Sequence, residues 1–162
     1  MKHKCPRASQ QGWLALVLIL MMVCGLKAQG AEVAGKNAEL KFEIQLIWAT
    51  NDRKSPNPKH KAVEPEIRKK LEELPLKWNS YFEVNRKQLA VPQGGKSKVA
   101  LSEKCSIEVK EADGKKVEVS LFGKKGDAVL SRTQPLPKGE ILVLGGNAPD
   151  KTAWLVTLKR IE

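Results

Sequence analysis

Leu40-Lys-Phe-Glu-Ile-Gln-Leu-Ile-Trp48 carries an apolar residue at every even position: Leu40, Phe42, Ile44, Leu46 and Trp48. A period of two sustained over this stretch puts all five on one face of a β-strand. Beyond it, residues 50–62 (TNDRKSPNPKHKA) cannot continue the strand. Pro56 and Pro58 lack amide donors, and Asn51, Asp52 and Ser55 are turn formers. Glu64-Pro65-Glu66 then places proline and acids where a helix begins. Ile67, Leu71 and Leu74 recur on one helical stripe, and Pro75 ends it. From Tyr81 onward the pattern is β throughout. Tyr81–Val84, Lys87–Val91, Ser97–Leu101, Cys105–Val109, Val117–Leu121, Asp127–Thr133, Glu140–Leu144 and Thr152–Ile161 are the expected strands. Pro92-Gln-Gly-Gly95, Asp113-Gly114, Gly123–Gly126, Pro137-Lys-Gly139 and Gly145-Gly146 are the expected turns between them. The expected class is β-rich α+β: one antiparallel sandwich or partly closed barrel of about seven or eight strands, with one short amphipathic helix.

In the other direction the chain reads as an export signal over residues 1–30, followed by a leader at 31–39 and a single domain at 40–162. Lys2, Lys4 and Arg7 precede the apolar run Trp13–Cys24, and small residues surround Gly30. That run is shorter than the roughly 20 apolar residues a membrane-spanning helix needs. Met22 and Val23 stand before Cys24 where a lipoprotein would carry small residues. No later stretch is apolar enough to cross a membrane as a helix, so the expected location is periplasmic or extracellular.

Charge and cysteine content narrow the class further. The whole chain has 29 Lys and Arg against 18 Asp and Glu, a net charge of +11; four of the bases lie before residue 31, leaving 25 against 18, or +7. Cys5 and Cys24 belong to the signal, so Cys105 remains alone and the domain is not a disulfide-stapled scaffold. Past the signal there is no Asn-x-Ser/Thr acceptor either. Both absences suit a bacterial periplasm.

No catalytic, cofactor or metal motif emerges. Cys105 keeps the phase of Ile107 and Val109, which makes it a core residue rather than a nucleophile for His60. One histidine and one cysteine are too few for an ordinary zinc site. Gly94-Gly95-Lys96-Ser97 lacks the first glycine of a phosphate loop and has no helix after it. The basic segment Arg53, Lys54, Lys59, His60 and Lys61 is the candidate contact for an anion or an acidic partner, set against its ordinary use as a solvated connection. Trp78 and Tyr81 are the candidate aromatic contacts, with Trp48 and Trp154 assigned to the core.

The order of helix, Leu74-Pro-Leu-Lys-Trp-Asn-Ser-Tyr81, strands and Leu136-Pro-Lys-Gly-Glu-Ile-Leu-Val-Leu-Gly-Gly146 resembles small exported bacterial proteins of unknown function. Its ending, a glycine before an apolar strand closed by Gly-Gly, is also similar to part of the secretin domain of outer membranes. These resemblances imply an envelope protein and bring no catalytic residue. The expected function is a non-enzymatic envelope module that binds another protein. The alternatives are an electrostatic binder of anionic envelope glycan or lipid headgroups and, last, a hydrolase built on carboxylates. Nucleic acid is not an expected partner of an exported chain, and no cofactor is expected.

Overall fold

The computed structural model describes residues 39–148 and 150–162; the expected signal, and the expected leader except Glu39, lie outside them. The described chain forms β1 (Glu39–Thr50), the two-residue β2 (Lys61–Ala62), helix α1 (Pro65–Glu72), β3 (Ser80–Pro92), β4 (Lys96–Ser102), β5 (Cys105–Glu111), β6 (Lys116–Phe122), β7 (Ala128–Pro135), β8 (Ile141–Asn147) and β9 (Ala153–Arg160). Two antiparallel sheets result, one of five strands in the order β2-β3-β1-β9-β8 and one of four in the order β4-β5-β6-β7. Neither closes into a barrel. The β-rich class with one short helix is therefore what the residues form, in a sandwich-like arrangement.

The alternation in β1 explains how the layers meet. Leu40, Phe42, Ile44 and Leu46 face a core shared with Ile107, Val109, Val117, Val119 and Leu121 of the second sheet and with Leu142, Leu144, Val156 and Leu158 of the first. Removing such side chains from water is the main drive for the two sheets to pack. The opposite face of the five-stranded sheet is covered by α1. Ile67 and Leu71 pack there with Ile47, Ala49, Tyr81, Ala153 and Leu155. The helix is shorter than Pro75 alone requires, because a residue before proline avoids the helical region and Leu74 is already past the Glu73 cap.

Several local readings change. The expected strands Tyr81–Val84 and Lys87–Val91 are one strand, β3, interrupted by a bulge. Leu46 pairs with Asn85 and Ile47 with Glu83, leaving Val84 as the extra residue. A bulge reverses the alternation, so Leu89 and Val91 face the inter-sheet core while Tyr81 faces the helix. Leu101 is likewise the extra residue of β4, and Asn85 Nδ2 donates to its carbonyl at 2.7 Å, tying the two bulges together. Gly145 and Gly146 are not a turn; they complete β8 opposite Leu155 and Trp154. Their use is close approach, since a Cβ on Gly145 would strike the Trp154 carbonyl. Gly94 does serve a turn, at φ 66°, and its amide donates to Glu111 where β3 hands the chain to the second sheet.

Candidate functional site

The basic segment is an ordered loop between β1 and β2. Ser55 Oγ and His60 Nδ1 share a hydrogen bond of 2.8 Å, Asn57 N donates to Ser55 Oγ at 3.2 Å, and Lys59 N donates to Asn57 Oδ1 at 3.0 Å. The loop is thus held by its own short polar side chains, as Asn and Ser turns usually are. The His60 ring lies 6.1 Å from that of Trp48, which also meets Phe82 at 5.9 Å. Arg53, Lys54, Lys59 and Lys61 point outward, exposed, and make no ion pair among the described residues.

Trp78 and Tyr81 belong to a different face. Tyr81 is buried in the helix-side cluster and donates its hydroxyl to the Trp78 carbonyl at 2.9 Å. Burial pushes the phenol pKa up. Trp78 is half-buried in the same cluster, with its indole N–H donating to the Lys151 carbonyl at 3.0 Å. The Asn51 side chain accepts from Asn79 N at 3.1 Å, so both groups sit at one end of the sheet on its opposite faces. The structure does not gather the seven residues into one patch.

Trp154 is the aromatic residue that the alternation misassigned. It stays in phase with Val156 and Leu158, as its sequence predicts, yet it is 45 % exposed. Trp48 pairs with Phe82 on one side and with Trp154 on the other, and Trp154 pairs with Gly146. Antiparallel partners share a face, so one cross-strand row reads Phe82, Trp48, Trp154, Gly146. The His60 loop covers its Trp48 end and leaves Trp154 open. A periodic pattern reports the face but not where the opposing sheet stops.

One exposed feature is an edge. Among the described residues β7 pairs with β6 alone, and from Ala128 to Pro135 every residue but the half-buried Gln134 is exposed. Val129 is 68 % exposed and Leu130 37 %. Leu130, Arg132 and Gln134 lie opposite Leu121, Val119 and Val117, so they occupy the core-facing side of a strand that overhangs its core. No sequence signal marks this, because an overhanging strand and a covered one share the same alternation.

Comparison with protein families, curated proteins and solved structures finds no match to this chain.

The remaining surfaces have plain structural uses. A shallow depression of about 350 Å³ on the outer face of the four-stranded sheet is lined by Lys96, Glu108, Lys110, Glu118 and Ser120. Its charges pair across strands, Lys96 with Glu108 and Lys110 with Glu118, both at 3.5 Å, as solvated sheet faces do. Cys105 packs half-buried against the inter-sheet core, and desolvation raises its pKa, the opposite of what a nucleophilic thiol needs. No group of three metal-ligating side chains occurs among the described residues, and no helix there is long and apolar enough to cross a membrane.

Proposed function

We propose that this protein is an exported, non-enzymatic module of the bacterial envelope that binds a partner protein by strand addition along β7. The reading rests on one observation: a whole edge strand whose outer rim of N–H and C=O groups has no neighbour among the described residues, on a strand exposed on both faces. Export rests on the n-region, apolar run and small residues of positions 1–30. Arg132 favours a partner strand that brings a carboxylate to the core-facing side, beside an apolar residue for Leu130. A register-specific pairing of this kind gains affinity from main-chain hydrogen bonds and selectivity from alternate side chains.

The test is capture of the tagged protein from its native envelope, washed at low and high salt. Wild type is expected to retain a partner at high salt, because edge hydrogen bonds and apolar contacts are weakly screened. A Val129→Lys/Thr133→Lys variant, folded as judged by circular dichroism, is expected to lose it. Retention by that variant would move the interface away from β7.

A further inference from the structure

The open end of the aromatic row is a second surface, independent of β7. Its floor is the exposed face of Trp154 beside Gly146, above which a side chain would find nothing within 4 Å. The floor is preorganised, since Trp154 is strand-paired on both sides, to Trp48 and to Gly146. On one flank stands the loop carrying Arg53, Lys54 and Lys59, placed over the row by His60 against Trp48. Immediately before β9 stands Lys151, held at φ 64° in a turn whose carbonyl is fixed by the Trp78 indole. A non-glycine residue in that left-handed region is uncommon, and here it presents another cation that makes no ion pair among the described residues.

Two carboxylates stand at this end: Asp52 accepts from Thr50 Oγ1 at 3.3 Å, and Asp150 accepts from Thr152 Oγ1 at 2.6 Å. Both keep their charge and are outnumbered by Arg53, Lys54, Lys59 and Lys151. The end is therefore net positive, with a flat apolar floor about one indole wide. That area is far below the roughly 800 Å² per partner of a standard protein interface. It fits a single ring that carries a negative charge.

We propose that this end of the sheet binds an acidic sugar, one pyranose ring stacking on Trp154 with its carboxylate facing Arg53, Lys54 and Lys151. The ring's axial C–H groups meet the electron-rich indole face, and the cations supply attraction that favours acidic over neutral sugars. Trp78, on the opposite face, holds the Lys151 turn without meeting the sugar.

Titration calorimetry with an oligogalacturonate and its methyl ester tests this, because the two share a backbone and differ in charge. The acid is expected to bind, and the ester to bind at least about tenfold more weakly. Trp154→Ala is expected to cost about tenfold or more, the usual effect of losing one stacking aromatic, with Trp154→Phe restoring most of it. Arg53→Ala/Lys54→Ala/Lys151→Ala should abolish the preference for the acid and the salt dependence that goes with it. Val129→Lys/Thr133→Lys, on the other sheet, should leave affinity unchanged. The proposal is overturned if folded wild type binds neither sugar at millimolar concentration, or if Trp154→Ala binds the acid as wild type does. It is equally overturned if Trp154→Ala loses a captured protein while keeping its sugar affinity.

Discussion

Arg86 holds the start of the helix to the sheet, and its removal gives a measurable loss of stability. Its guanidinium meets Glu64 at 2.6 Å, Glu43 at 3.4 Å and Glu83 at 2.5 Å. Glu64 is the residue that opens α1, while Glu43 and Glu83 stand on β1 and β3. The hydrogen bond to Glu83 is the main cause of an arginine pKa raised above its ordinary value. A raised pKa stabilises the fold at every pH below the unfolded value, so Arg86 stays charged and its contribution is present across the working range. The Arg86→Met variant keeps the aliphatic stem and leaves three acids facing one another. Breaking a buried pair costs about 3–5 kcal/mol, and an exposed one about 0–1 kcal/mol. Arg86 is 32 % exposed, Glu83 13 % and Glu43 20 %, between those limits. The expected loss at pH 7 is thus about 2–3 kcal/mol. Urea unfolding of both proteins at pH 7 measures the difference. A loss under about 0.5 kcal/mol, the scale of an ordinary surface substitution, refutes the reasoning.

Gly145→Ala should destabilise by about 1–3 kcal/mol in the same assay, because its Cβ would strike the Trp154 carbonyl and lie 2.9 Å from Leu155 Cα, backbone that cannot step aside. Gly146→Ala, with open space above it, should cost distinctly less. Asp113 accepts from the Lys116 and Lys115 amides, which hold its carboxyl below the usual range. A depressed pKa gives stability that is present above the unfolded value and lost as pH falls through the folded one, so Asp113→Ala should flatten the acid limb of a urea-midpoint profile. Val129→Lys/Thr133→Lys should leave the unfolding midpoint near wild type, within about 0.5 kcal/mol, since both side chains already face water.

The fold was legible in the sequence where one face is buried. The β1 alternation, the Ile67 and Leu71 stripe and the strand run from Ser97 onward appear in the structure as expected. The sequence reading failed where a local pattern has two physical causes. A bulge at Val84 and a break between strands both reverse the alternation, so β3 reads as two segments. Gly-Gly reads as a turn because positive φ is its commonest use, whereas Gly145 is needed for contact with a neighbouring strand. The basic loop was visible as composition, and its order comes from Ser55, Asn57 and His60 contacts that no periodicity encodes. Trp154 and β7 escaped for a shared reason. Exposure depends on where the second sheet ends, and that follows from strand order rather than from any one strand.

The features of β7 also act against indiscriminate pairing along so open an edge. An exposed, flat, apolar edge is a template for indiscriminate pairing. Here Val129 is the extra residue of a bulge, because Leu121 pairs with Leu130 and Phe122 with Ala128. That twist disturbs the start of the strand, and Pro135 removes an amide at its end. Arg132 stands on the core-facing side, where an added strand built of apolar residues would have to bury an unpaired charge. The three devices act against generic partners but not equally against all. A strand with a carboxylate in register with Arg132 converts the charge from a penalty into a pairing determinant, which is the usual logic of specificity by exclusion. Arg132→Glu should therefore reverse the preference among partner strands rather than abolish binding. Peptides of one backbone register carrying Glu or Lys at the facing position measure it directly, and equal loss of both would mean that β7 is protected and not recognised.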